Sequence, residues 1–298
     1  MATQTQNLSA GIVQLKNDDM PKRPTFLQRF FRNKRAVIGA LLLMIFTIIA
    51  IFAPIIAPFE ADAQNIVDRL QAPNSVYLMG TDQLGRDIFS RAMFATRISM
   101  PIGVFAMLVS VTVGVSVGMI SGYFGGISDN VLMRLTDMLL SFPTFFLLLT
   151  VTTLFGRTMP VLTLLLGLTS WGVVARVVRS QVLALKEMDF VEAAQSLGAS
   201  HSEILIRHIF PNILPIIIVD ATLRVALVIL IEGGLSFLGV GIQPPTPSWG
   251  NMVAEGNALL RRAWWVSVFP GAFLFLCTMS FNLVGDGLRD ALDPRFKS

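Results

Sequence analysis

The sequence predicts an all-α polytopic membrane protein with six transmembrane helices. Three observations carry that expectation. Hydrophobic residues make up 53% of the 298-residue chain, its mean hydropathy is +0.67, and charged residues reach only 14%, against roughly 25% in soluble domains. Five uncharged runs, Ala36 to Phe59, Ile98 to Ser128, Met138 to Gly156, Thr158 to Ala175 and Ala263 to Gly285, are each near or above the ~18–20 residues that cross a bilayer. A sixth span begins near Pro211, because Ile213 to Ile231 is apolar apart from Asp220 and Arg224. An odd number would leave the two termini on opposite sides.

The first 35 residues are polar and carry Lys16, Lys22, Arg23, Arg29, Arg32, Lys34 and Arg35. They read either as a disordered positive-inside signal or as a regulatory tail. The apolar run over 36–59 outlasts the ~7–15 apolar residues of a cleaved leader, so it reads as a retained anchor. With the N-terminus inside, fifteen of the 23 lysines and arginines fall on the inner side and seven on the outer, Arg224 being left in the membrane. Both termini are therefore expected in the cytoplasm. The net charge of +4 and the pI near 9.6 follow largely from that bias and point away from nucleic acid as a partner.

The outer segment 60–97 contains Gly80-Thr81-Asp82-Gln83-Leu84-Gly85-Arg86-Asp87-Ile88-Phe89-Ser90-Arg91. Asp82 is expected to cap a helix running toward the second span, and Asp87 with Arg91 has the acid-first i,i+4 order that stabilises one face. The physical reading is an interfacial helix; the residues either pin that helix or contact a partner directly. Within the second span Ser110, Gly114, Gly118 and Gly122 recur at every fourth residue, a stripe that lets helix backbones approach closely. It packs either inside the chain or against a second subunit.

Between the fourth and fifth spans the polar stretch 181–210 carries two capping-box spacings, Asp189 with Glu192 and Ser200 with Glu203. Gly198 between them suits the left-handed corner at which a helix ends. Two short helices meeting at a corner on the cytoplasmic face make a docking device. On the fifth span Asp220 and Arg224 lie four residues apart near the bilayer midplane, where charges are expensive, so they are expected to pair. They serve either the transport pathway or structure alone; Glu232, toward the outer end, is expected within reach of water. The outer loop 239–265 holds Pro244, Pro245 and Pro247, which exclude a helix interior and favour a stiff extended path. Residues 286–298 form the expected cytoplasmic C-terminal tail. Cys277, the single cysteine, lies in the last span and excludes an intrachain disulfide.

Glu192-Ala193-Ala194, three residues, Gly198 and then Pro211 resemble the E-A-A, three residues, G, nine residues, I-x-L-P coupling motif of permeases in bacterial binding-protein-dependent ABC importers. Here His208 and Phe210 stand at the isoleucine and leucine positions, so the hinge is kept and the apolar seat altered. The outer string is similar to the G-T-D-x-x-G-R-D-x-x-S-R signature of the dipeptide, oligopeptide and nickel importers, in their C-type permease subunit. Leu235-Ser236-Phe237-Leu238-Gly239, the proline string ending at Trp249-Gly250, and Gly285-Asp286-Gly287 through Pro294 match the same subfamily. The resemblance implies a type I importer permease fold, with 98–285 as the core domain, located in the bacterial inner membrane. It also implies a heterodimer with a second homologous permease, two ATP-binding subunits, and a periplasmic or lipid-anchored substrate-binding protein. The cargo implied is di- or oligopeptides, with nickel chelates or glutathione-like molecules as alternatives.

The chain has no G-x-x-x-x-G-K-[ST] phosphate loop, and Gly-Lys never occurs. ATP and Mg are thus expected in partner subunits, with no cofactor bound here. His201 and His208 have no cysteine near them and read as surface or partner contacts rather than a metal site. No nucleophile elbow or H-E-x-x-H signature marks an enzyme. A proton-coupled secondary transporter would use Asp220, Arg224 and Glu232 as its relay, but leaves the coupling helices without a role.

Overall fold

The computed structural model describes residues 25–292, which are helical apart from loops and one isolated β-bridge between Thr81 and Asp87. In chain order the helices are α1 Phe26–Arg32, α2 Lys34–Ile56, α3 Ile88–Phe124, α4 Gly126–Ser141, α5 Thr144–Phe155, α6 Met159–Leu185, α7 Asp189–Ser196, α8 His201–Phe237, α9 Trp249–Asn257 and α10 Trp265–Leu292. Five are long and apolar enough to cross a membrane, and α4 with α5 supplies a sixth if that pair is one bent span. The expected polytopic helical class is therefore the observed one. Asn33 Nδ2 donates to Asp290 Oδ2 at 3.0 Å, so both ends of the described chain meet at one end of the bundle. That end is termed proximal; the long 57–87 segment and α9 lie at the distal end.

Helix α1 begins with a capping box, Thr25 Oγ1 accepting from Gln28 N–H while Gln28 Oε1 accepts from Thr25 N–H. Asn33 then starts α2 by accepting from Arg35 and Ala36 N–H at 3.1 and 3.3 Å. Residues 25–35 are consequently helical rather than a disordered tail; Lys16, Lys22 and Arg23 lie outside the described residues. The helix of the second span starts at Ile88, ten residues before the expected Ile98, and runs unbroken to Phe124. No interfacial helix precedes it: 60–87 contains only a short 3-10 turn, Ile66–Asp68.

The expected third span is the main correction. The run 138–156 is broken at Phe142 and Pro143, with α4 and α5 bent by 84°. Proline lacks the N–H that a continuing helix needs and disfavours helical geometry in the residue before it. α5 has 12 residues, about 18 Å of rise, short of a ~30 Å hydrocarbon core. Further on, α6 continues past Ala175 to Leu185, and α10 continues past Gly285 to Leu292, so most of the expected C-terminal tail is helix. Asp293 and Pro294 fall outside the described residues.

The glycine stripe of α3 packs inside the chain, against α6. A Cβ at Gly114 would lie 2.5 Å from Val174 Cβ, one at Gly118 2.6 Å from the Ala175 carbonyl, and one at Gly122 2.9 Å from Val182 Cβ. Gly167 of α6 reciprocates against Val109. Because α6 occupies this face, it is not a seam against a second subunit. Gly118→Leu should therefore force the helices apart and cost about 1–3 kcal/mol or more, whereas Gly234→Ala, with nothing within 4 Å, should be neutral. Thermal unfolding of both variants in detergent tests this; equal melting temperatures would contradict the seam.

Candidate functional site

At the proximal end α7 packs against the bundle. Val191 and Ala194 are buried against Val178 and Val182 of α6 and Ile204 and Ile209 of α8 in one apolar cluster. Glu192, Ala193 and Gln195 face outward, and Leu197 is 88% exposed. Of the motif residues, then, Ala194 is a packing residue, while Glu192 and Ala193 present a surface. Asp189 does not cap: α7 is preceded by Met188, which makes no side-chain cap, and Asp189 is the first residue of the helix. A carboxylate there still favours the positive helix end.

Gly198 adopts φ +83°, the left-handed corner expected, and Gly198 N–H donates to Gln195 O at 2.9 Å. Ser200 caps the next helix by accepting from Glu203 N–H at 3.3 Å. That second helix is not separate. It passes through a π-helical stretch, Ile204–Ile209, directly into the fifth span. Phe210 N–H donates to Leu205 O, five residues back, and Pro211 follows with no N–H to give. The widened turn eases the clash that a proline ring makes with the preceding turn of a regular α-helix. Asn212 Nδ2 donates to the His208 carbonyl at 2.6 Å, meeting part of the backbone demand at the same turn.

A groove of about 560 Å³ beside α7 is lined by residues that include Tyr123, Lys186, Glu192, Gln195 and His201. Tyr123 Oη lies 2.9 Å from His201 Nδ1, joining the end of α3 to the start of α8. Asp129 of α4 receives Arg179 of α6 in a bidentate pair at 2.5 and 2.6 Å. Asp137 receives Arg176 at 2.6 Å. None of these partners is legible in local spacing, since each lies 39 or more residues away in the chain. The charges Asp129, Arg134 and Asp137 mark 129–137 as the polar link between the second and third expected spans, and the structure makes that link helical. His208 shares no such contact with His201, and among the described residues no His, Cys, Asp and Glu group is arranged to hold a metal.

Asp220 and Arg224 pair as expected, Arg224 Nη2 and Nε reaching the carboxylate at 2.9 and 3.1 Å. The pair is asymmetric: the Arg224 side chain is 7% exposed, the Asp220 side chain 29%. Asp220 opens onto a cleft of about 760 Å³ lined also by Asn212, Pro215 and Leu223 of α8, Val177 of α6, and Arg289 and Leu292 of α10. Arg289 is thus a pathway candidate that sequence spacing did not join to Asp220. Glu232 is not part of this cleft. It lies twelve residues further along α8, about 18 Å away by helical rise, and is 1% exposed, so the expectation that water reaches it is wrong. Its partners are Ser99 and Ser236 at 3.2 and 2.7 Å.

The distal motif folds as a buried loop. Asp82 does not cap a helix; it accepts from Leu84 and Arg86 N–H at 2.8 and 3.0 Å and pairs with Arg86 and Arg91 at 2.6 and 3.2 Å. Asp87 is the cap of α3, accepting from Ser90 N–H at 2.8 Å, and does not pair with Arg91. Both arginines reach Glu255 of α9, at 2.9 and 3.0 Å. Burial pushes the Glu255 carboxyl above the usual carboxylate range, against the opposing pull of Arg86. Thr81 accepts from Gln71 N–H at 2.9 Å. Gly80, at φ +75°, leaves room for Trp265, whose ring would meet a Cβ at 2.7 Å, and at Gly85 a Cβ would meet the Asn65 carbonyl. With Asp82 fully buried and Arg91 1% exposed, these side chains hold the distal loops together and present no surface to another protein in this conformation.

Residues 114–298 match the family model of the binding-protein-dependent transport system inner membrane component. Residues 25–73 match that of the N-terminal TM domain of oligopeptide transport permease C. The chain is 40% identical over 274 residues to the glutathione transport system permease protein of Pectobacterium atrosepticum, spanning 92% of this chain and 91% of that one. It is 37% identical over 278 residues to a dipeptide transport system permease protein of Alkalihalophilus pseudofirmus (93% and 91%). It is 41% identical over 270 residues to an oligopeptide transport system permease protein of Haemophilus influenzae (90% and 87%).

Proposed function

The chain belongs to the family of binding-protein-dependent transport system inner membrane components, and from that premise we propose that it is a permease subunit of an ATP-driven importer of short peptides. The observation that carries the mechanism is the continuity of α8. One 37-residue helix, about 55 Å long by its rise, runs from the α7 corner past the Asp220–Arg224 cleft to the distal end. Its π-helical turn and Pro211 lie between the docking surface and the cleft.

A push on the exposed face of α7, at Glu192, Ala193 and Leu197, is delivered through the shared apolar cluster and the Gly198 corner into α8. Two bundle arrangements are required. ATP in the partner subunits and the loaded binding protein must each favour one of them, since a ligand with equal affinity for both shifts nothing. The partners in this reading are two ATP-binding subunits that hold ATP and Mg, a substrate-binding protein at the distal end, and a second homologous permease completing the pathway. The cargo is di- or oligopeptides; the relative named for glutathione transport makes that small peptide the second reading.

Reconstitution tests the proposal. Uptake of a labelled dipeptide should require ATP, the ATPase subunits and the binding protein together. Uptake by this chain alone, driven by a proton gradient, would overturn the reading in favour of a secondary transporter. In the proposed orientation the proximal end is cytoplasmic, which the lysine and arginine bias supports. With Cys277 replaced, single cysteines at the exposed positions 83 and 246 should label from outside and one at position 202 only from inside. Outside labelling of position 202 would place α7 where no ATPase subunit reaches it.

A further inference from the structure

Glu232 is buried at the distal end of α8 and forms no ion pair among the described residues. Its carboxylate instead lies among serine hydroxyls, Ser236 and Ser99 bonding one oxygen each and Ser248 of the outer loop standing beside them. Ser236 Oγ donates to Oε1 at 2.7 Å and Ser99 Oγ, from α3, donates to Oε2 at 3.2 Å. Each serine oxygen in turn accepts a backbone N–H from the outer loop. Ile242 N–H donates to Ser236 Oγ at 3.0 Å, and Trp249 N–H donates to Ser99 Oγ at 3.3 Å.

The result is a carboxylate with two arms, one holding the start of the 242–249 loop and the other its end. A serine that gives its single proton to a carboxylate leaves its lone pairs for an incoming N–H, so one acceptor orients both hydroxyls as acceptors for the loop. The loop is built to approach this point closely. A Cβ at Gly241 would lie 2.1 Å from Ser236 Oγ, and one at Gly250 2.4 Å from the Gly233 carbonyl. Asn251 completes the loop by donating to the Ile242 and Thr246 carbonyls at 3.2 and 2.9 Å.

Between the two anchored amides the chain exposes Pro244, Pro245 and Thr246. Pro245 and Thr246, together with Pro247, border an open depression of about 400 Å³ whose other walls include Asp62, Phe94 and Arg97. We propose that Glu232 is a positioning residue: through Ser99 and Ser236 it sets the 242–249 loop in the place from which it receives the substrate-binding protein. This rests on the importer reading for the identity of the partner, but not for the two-armed anchor itself.

The test uses the complete transporter in lipid nanodiscs. In hydrogen exchange read by mass spectrometry, Ser236→Ala should speed exchange around Ile242 and not around Trp249, and Ser99→Ala the reverse. Glu232→Ala should speed both; Glu232→Gln, which keeps the shape and one acceptor oxygen, should speed exchange less. Each lost arm should accelerate exchange by about three- to tenfold, the worth of one neutral hydrogen bond. Unchanged exchange at both sites in Glu232→Ala and in Glu232→Gln would overturn the anchor.

In the second arm, the concentration of peptide-loaded binding protein that half-maximally stimulates ATP hydrolysis should rise by a similar factor in Ser99→Ala and Ser236→Ala, with basal hydrolysis unchanged. A rise absent despite loosened amides, or a loss of basal hydrolysis in both serine variants, would overturn the positioning role. If the wild-type transporter shows no stimulation at all, the importer reading fails while the exchange result stands on its own.

Discussion

Gly198→Val should leave the protein folded in the membrane and reduce ATP-driven uptake by about tenfold or more. Gly198 sits at φ +83° with no heavy atom within 4 Å of an added Cβ, so the penalty is one of backbone conformation and not of collision. Holding a β-branched residue in the left-handed region costs roughly 1–2 kcal/mol, which is about a factor of ten in the population of the native corner. The valine variant relieves that strain by opening the turn, which re-aims α7 relative to α8. Gly198→Asn should recover most of the uptake, because asparagine tolerates the left-handed region. Glu192→Lys, which reverses a charge on the exposed face of α7, should also abolish uptake without touching the fold. Wild-type uptake in both Gly198→Val and Glu192→Lys, measured on correctly inserted protein, would remove α7 as the coupling element.

Asp220→Asn should be the more damaging neutralisation of the membrane pair. It leaves the 7%-exposed Arg224 side chain charged and without its bidentate partner, whereas Arg224→Leu leaves a carboxylate that already opens onto the cleft. Breaking one side of a buried pair costs about 3–5 kcal/mol, and the partial exposure of Asp220 places Arg224→Leu below that range. The double variant Asp220→Asn with Arg224→Leu should be milder than Asp220→Asn alone, because no buried charge is stranded. Folded yield and thermal midpoint read the stability, and peptide uptake reads the function. Recovered folding without recovered uptake assigns the pair to the pathway; recovery of both makes it structural. If Asp220→Asn is harmless to yield and uptake, the pairing has no energetic consequence.

The helices that cross the membrane were legible because burial in lipid demands a continuous apolar run, a property of consecutive residues. The Gly198 corner and the Ser200 cap were legible for a similar reason: each acts on backbone groups within about four residues. The same locality explains the errors. Asp82, Asp87 and Asp189 all occupy plausible cap positions in the chain, yet only Asp87 caps a helix, since Asp82 is taken by Arg86 and Arg91. The break at Phe142 and Pro143 was written in the sequence, in the proline and in the charges upstream of it. Counting apolar residues stopped at the charges but passed over the proline.

What the sequence determined by itself was therefore a polytopic helical membrane protein, the place of its Gly198 corner, and the pairing of Asp220 with Arg224 one helical turn away. Only the tertiary structure decided that the glycine stripe of α3 is filled by α6, that Glu255 joins two arginines more than 160 residues earlier, and that Glu232 is shielded from water by two serines and the outer loop. The physical reason is the range of the interactions. Hydropathy, capping and i,i+4 pairing are set by neighbours in the chain, whereas the partner of a small-residue face or of a buried charge is set by which helices the loops bring together.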